Sequence, residues 1–185
     1  MAETKVTKGD RGFTLTELTF IVGLCGLAMA LSIPVLSTSL RTWQLNADAT
    51  NIVTTLTYAK LRATSQMTRY QLLFDLTGNK WSLQKYNRST ASFELEGATN
   101  SLSSGMAHSG ISFQSTSGSA PSGFPTDSSA FIRFNSRGIP IDAAGVPTIS
   151  NVVYLSDGRT NYAVTVSLTG KVQLWKYKSS QWVSQ

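Results

Sequence analysis

The sequence predicts an α+β protein in which a long N-terminal helix, about residues 13–66, packs on an antiparallel β head. Three observations predict it. Residues 13–36, FTLTELTFIVGLCGLAMALSIPVL, form an apolar run after a polar start. Leu45, Ala49, Ile52, Leu56, Ala59, Ala63 and Met67 then recur at three- and four-residue spacing, the period of a helical stripe. From Arg69 the period becomes two, with glycine-containing turns between the runs, the pattern of paired strands.

The chain has 185 residues, a one-domain length, with 41% hydrophobic and 14% charged residues. That supports a modest core and excludes a disordered chain. The formal net charge of +6 points to acidic partners or anionic surfaces and says nothing about fold. The single cysteine, Cys25, lies in the apolar run and cannot form an internal disulfide. The single histidine, His108, lies in a Ser/Gly-rich stretch and reads as a solvated loop residue. One Cys and one His far apart offer little for a zinc site or an imidazole-based catalytic set.

Residues 1–12, MAETKVTKGDRG, are polar, and Lys5, Lys8 and Arg11 predict that this side stays cytoplasmic. The apolar run that follows is long enough to cross a bilayer as a helix. It exceeds a typical signal-peptide core, and no small-x-small site closes it, so ordinary signal cleavage is disfavoured. An uncleaved single-pass anchor is the plain alternative. Glu17 does not fit a plain anchor, because a carboxylate inside an apolar segment costs a few kcal/mol without a partner.

Arg11-Gly12-Phe13-Thr14-Leu15-Thr16-Glu17-Leu18 resembles the processing motif of type IV prepilins and type II secretion pseudopilins. The resemblance implies a pilin-like fold and cleavage after Gly12 by a prepilin peptidase. It implies N-methylation of the new terminus at Phe13, and assembly roles for Glu17 and for Pro34, two dozen residues on. It also gives Glu17 a partner. The new amine at Phe13 of one subunit pairs with the Glu17 carboxylate of a neighbour, which relieves an otherwise unpaired buried charge. Residues 1–12 are then a leader that is removed, and 13–36 a transmembrane and filament-core helix. Residues 37–68 form an amphipathic helix half, and 69–185 an extracytoplasmic head. The implied location is the inner membrane, single-pass, with the N-terminus cytoplasmic and the head periplasmic, and afterwards the pilus or pseudopilus. The implied partners are the peptidase, the inner membrane, and other major and minor pilin or pseudopilin subunits.

Pro34 removes one backbone donor and crowds the Ala30 carbonyl, so a bend or local melting is expected there. Gly23, Gly26, Ala28 and Ala30 offer small surfaces for close helix packing, or simply ordinary membrane-helix composition. No Pro or Gly interrupts residues 35–77. The many Thr residues between 50 and 68 weaken helix propensity, so tertiary packing must hold that half.

In the head, Tyr70–Leu76 and Trp81–Tyr86 flank Gly78-Asn79 and predict a hairpin. Residues 97–129, rich in Ser, Gly and Thr, predict a long variable loop with one strand, Ile111–Gln114. Phe131–Phe134, Ile149–Leu155, Tyr162–Ser167 and Lys171–Tyr177 predict further strands. Asp157-Gly158 and Thr169-Gly170 are turn signals among them. Three short motifs in this part are similar to the minor pseudopilin H and the FimT/FimU-type minor pilins. They are Ala59-Lys60-Leu61-Arg62-Ala63, Phe134-Asn135-Ser136-Arg137-Gly138-Ile139-Pro140 and Leu168-Thr169-Gly170-Lys171-Val172.

Catalytic chemistry is not indicated. The glycine-rich stretches lack a phosphate-loop pattern, Asp142 and Asp157 read as turn acids, and nothing requires a metal or cofactor. A structural subunit is therefore the favoured reading, one that joins or primes a type II secretion pseudopilus or a type IV pilus. The alternative is a filament-tip DNA receptor, which the resemblance to FimT-like minor pilins permits. Arg159, Lys171, Lys176 and Lys178 would contact phosphates there, and Trp175, Tyr177 and Trp182 would stack on bases. DNA is not favoured, because the same residues read as a solvated terminal hairpin whose rings pack on the sheet.

Overall fold

A computed structural model describes residues 14–103, 110–113 and 120–185, and of residues 31–38 the helical backbone alone. Gly12, Phe13, His108 and Gln114 lie outside the described residues. The helix α1 spans Leu15–Ser65. Nine strands follow: β1 Tyr70–Asp75, β2 Lys80–Asn87, β3 Ser92–Ser101, β4 Phe131–Phe134, β5 Pro140–Ile141, β6 Asn151–Ser156, β7 Asn161–Val166, β8 Val172–Lys178 and β9 Gln181–Ser184. The architecture is α+β, as the sequence predicts. The chain divides into two compact units, Met1–Leu40 and Arg41–Gln185.

In the first unit the described part of the helix is apolar nearly all round, and its large side chains are exposed. Leu15 is 82% exposed and Phe20 74% exposed, and Leu18, Val22, Leu24, Leu27 and Met29 are also open. The helical backbone continues through Pro34, so the melting expected at Ala30–Pro34 is not found. One lost backbone bond is carried by the turns on either side.

The second unit contains the core. Leu45, Ala49, Ile52, Leu56, Ala59 and Ala63 are fully buried, which confirms the stripe up to Ala63. Met67 departs from it: it is 68% exposed and left-handed, with φ of 52°. Helix α1 ends one residue earlier than expected, and Thr68 N–H donates to Ala63 O at 3.2 Å. That bond, with a left-handed residue just before its donor, is the Schellman way of closing a helix. Met67 fills the position glycine usually takes, so it turns outward.

Five strands pair in the order β3-β2-β1-β4-β5, and four in the order β6-β7-β8-β9, all antiparallel. Tyr70, Leu72 and Phe74 of β1, Trp81 and Leu83 of β2, and Ile132 and Phe134 of β4 enter the main core with the helix stripe. Val153, Leu155, Tyr162, Val164 and Val166 enter it from the second sheet. The opposite face of that sheet is covered too. Val152, Tyr154 and Ala163 pack there with Ala120, Phe124, Trp175 and Trp182.

Three expectations need correction. Strand β3 runs to Ser101, into the segment expected to be loop from residue 97. It is an edge strand with no buried face, so it carries no hydrophobic alternation to reveal it. The described part of the expected strand Ile111–Gln114, residues 111–113, is not a strand; Ser112 makes an isolated bridge to Ser156, while Ile111 and Phe113 are buried. The short edge strands β5 and β9 were not expected, and both are too short or too polar to show a period. Asp142 and Asp157 are turn acids as read. Asp157 Oδ1 accepts from Arg159 N–H at 2.9 Å and Thr160 N–H at 2.6 Å, and Asp142 Oδ1 accepts from Val146 N–H at 2.8 Å.

Candidate functional site

Glu17, Arg159, Lys171, Lys176 and Lys178, which are expected to carry function, can be placed with their neighbours, beginning at the helix start. Thr14 precedes the first helical residue, and its carbonyl accepts from Leu18 N–H at 3.1 Å. Glu17 N–H donates to Thr14 Oγ1 at 3.2 Å, while Thr14 N–H and Thr14 Oγ1 each donate to Glu17 Oε2 at 3.0 Å. This reciprocal arrangement is a capping box, with Thr at the cap and Glu three residues on. The helix macrodipole adds to it, since a carboxylate in the first turn faces the positive end. Glu17 is exposed and makes no ion pair among the described residues, where the one pair is Arg62 with Glu96. The Thr-x-x-Glu spacing was readable in the sequence but was masked there by the question of the buried charge. Pro34 occupies a helical backbone position in α1.

The three short head motifs meet in space. Lys60 Nζ, from the helix, donates to Gly170 O at 2.9 Å and to Thr169 O at 3.5 Å. Gly138 and Gly170 are both left-handed, each with φ of 74°. Each closes a turn, Gly138 N–H onto Asn135 O at 2.9 Å and Gly170 N–H onto Ser167 O at 2.8 Å. A Cβ on Gly138 would lie 3.1 Å from both Lys60 Cγ and Thr64 Cγ2, and one on Gly170 would lie 2.3 Å from Gly138 O. Both glycines are therefore required twice over, by backbone angle and by space. The junction ties the helix to the β4–β5 turn of one sheet and the β7–β8 turn of the other.

Two residues along the helix, Arg62 Nη2 donates to Glu96 Oε1 at 2.9 Å, and Tyr70 Oη donates its single hydrogen to Glu96 Oε2 at 2.5 Å and lies 2.9 Å from Gln66 Oε1. Burial, then Glu96, pushes the Tyr70 phenol well above its ordinary value. Neither the lysine junction nor this network was apparent from pattern, because both depend on residues 26 to 110 positions apart.

Of the residues proposed for DNA, Arg159, Lys176 and Lys178 lie toward one end of the second sheet and Lys171 at the other. Lys171 lies in the β7–β8 turn, one residue before β8. Arg159 lies in the β6–β7 turn, with Lys176 and Lys178 toward the same, opposite end of the sheet. Lys176 shares its face with Tyr162, and its Nζ lies 5.5 Å from that ring. Strand alternation sends Trp175 and Tyr177 to the other face. There Trp182 packs 5.1 Å from Tyr177 and 5.8 Å from Tyr154, and Trp175 Nε1 donates to Thr165 Oγ1 at 2.9 Å. Rings and lysines thus point away from each other, and the rings are engaged with the sheet.

Among the described residues no helix is long and apolar enough to cross a membrane. Phe13 and the side chains of residues 31–38, which complete the apolar run, lie outside that set. The model of the family described as type II transport protein GspH matches residues 48–170, about two thirds of the chain. No curated protein matches. Among solved structures, the minor pseudopilin EpsH from the Type 2 Secretion System of Vibrio cholerae aligns with a TM-score of 0.49 and 11% identity, over 71% of this chain and 95% of that one.

Proposed function

Since this chain belongs to the GspH family of type II transport proteins, a family of structural pseudopilins and not of enzymes, we propose that it is a minor pseudopilin assembled into, or priming, a secretion pseudopilus or a related pilus. In this reading a prepilin peptidase cuts after Gly12, and Phe13 becomes the methylated N-terminus. Residues 13–36 hold the subunit in the inner membrane, with the head in the periplasm, until it joins other pilin or pseudopilin subunits.

One observation carries the assembly reading. The first turns of α1 leave Leu15, Leu18, Phe20, Val22, Leu24, Leu27 and Met29 open on all sides, with a single carboxylate, Glu17, among them. A helix that is apolar all round belongs in lipid or among other helices. A lone acid in such a setting needs a cation brought from elsewhere. The Phe13 amine of a neighbouring subunit, freed by cleavage, carries the charge this acid needs.

Intact-mass measurement on membrane fractions, with and without the peptidase, tests the first step. The expected chain begins at Phe13 and carries one added methyl group. A working assembly whose subunits still begin at Met1 would remove the basis of the reading.

A further inference from the structure

The solvent face of the five-stranded sheet carries three arginines with no carboxylate at ion-pair distance among the described residues. Arg69 lies over the Tyr86 ring at 5.4 Å, and Tyr86 meets Phe93 edge-on at 5.2 Å. Arg133 lies between Phe93, at 4.5 Å, and Phe131, at 4.8 Å. Cations and rings therefore alternate across the sheet. Arg88 Nη2 donates to Met67 O at 2.8 Å, which fixes its guanidinium beside the helix end. Arg69, Arg88, Tyr86, Met67, Asn135 and Ser136 line one cleft of about 380 Å³.

The local charge is only partly offset. Burial, and then Arg69, hold the Arg133 guanidinium below its ordinary value, and Asp142 is the one carboxylate that opposes them. The Asp142 Oδ1 is already taken by Val146 N–H. Glu94, on the neighbouring rim, accepts from Asn87 and Thr90.

We propose that this cleft docks an acidic segment of a different protein, one that presents two or more carboxylates. A guanidinium is a planar fork that matches a carboxylate in bidentate fashion, and two such side chains line this cleft. Met67 on the rim offers a flexible apolar contact for the stems of acidic side chains. A second copy of this chain is a poor occupant, because it carries 16 basic residues against 10 acids and brings the same excess. A nucleic acid is disfavoured by the rings, since Tyr86, Phe93 and Phe131 already carry an arginine or another ring and leave no open platform for bases. The inference concerns the head alone and does not depend on leader removal or on Glu17.

The test uses the full chain in non-ionic detergent, titrated with fluorescein-labelled hexaglutamate and followed by anisotropy. The expected result is saturable binding that weakens as salt rises toward about 0.3 M. Arg69→Glu and Arg88→Glu should each weaken it at least about tenfold, and the milder Arg88→Gln several-fold, with melting temperatures recorded for all three. Arg159→Glu makes the same charge change on the β6–β7 turn and should alter binding by less than about twofold. The proposal is overturned if hexaglutamate does not bind, or if folded Arg88→Gln protein binds as well as the unchanged chain. It is equally overturned if Arg159→Glu weakens binding as much as Arg88→Glu. An oligothymidylate that binds as tightly, with the same dependence on Arg69 and Arg88, would assign the cleft to phosphate polymers and overturn it too.

Discussion

At position 17 one carboxylate serves as both a helix cap and a charge, and two substitutions separate the roles. Glu17→Gln keeps an acceptor for Thr14 and so keeps the box, since Gln serves there as well as Glu. Glu17→Ala removes both. Filament incorporation, read by co-purification with the other subunits, is expected to be lost in both variants, while membrane insertion is kept or improved. Incorporation of Glu17→Gln at the normal level would show that the cap, and not the charge, is what position 17 supplies. Met67 invites the opposite kind of change. A left-handed methionine costs about 1 kcal/mol over glycine, so Met67→Gly should raise the melting temperature of the head by about 2–4 °C. Asp48 offers a pH test. It is buried, and burial pushes its carboxyl above the ordinary value, against hydrogen bonds from Ser103 N–H at 2.8 Å and Ser103 Oγ at 3.0 Å. A carboxyl that is harder to ionise when folded subtracts nothing below its unfolded value. It subtracts stability as pH rises from there through its raised value. Asp48→Asn can keep both hydrogen bonds, so melts should show a gain at pH 7 that disappears near pH 3. A gain of equal size at both values would rule out ionisation as the cause.

At the level of elements, the helix half that reaches the head was legible because it buries one side at a regular period, and the strands β1, β2, β4, β6, β7 and β8 because they are runs of apolar, β-branched and aromatic residues bounded by turn residues. The strands β3 and β9 were not, since an exposed edge leaves only turn residues to mark it, and β5 was not, since two residues are too few to show a period. Met67 continued the stripe on paper because spacing alone does not say where a helix stops. The motifs around Lys60, Gly138 and Gly170 were visible as motifs, but their meeting was not, since it depends on turns from two different sheets. Gly170→Ala should be costly: the new Cβ would lie 2.3 Å from a backbone oxygen that has no freedom to rotate away. A loss of about 2 kcal/mol or more in chemical denaturation is expected from the clash and the backbone angle together. Lys60→Met keeps the stem between the glycines and removes only the donor, so about 1 kcal/mol should be lost. If Lys60→Met proved as harmful as Gly170→Ala, the charge and not the packing would be holding the turns.

For the whole chain, every residue of the main core lies beyond Leu40, from Leu45 to Val172 and Leu174. Residues 41–185 are therefore expected to unfold alone in one cooperative transition, within about 3 °C of the melting temperature of the head in the full chain. A broad, uncooperative melt would show that the first forty residues stabilise the head.

The hydrogen bonds between Thr14 and Glu17 have a bearing on how subunits would come and go. An acid that already has donors in its own chain joins a neighbour by exchange, so docking yields only the difference between two satisfied states. Each joint in the resulting fibre would be shallow and reversible, and its cohesion would rest on the number of joints, which lets a polymer be lengthened or dismantled one protomer at a time.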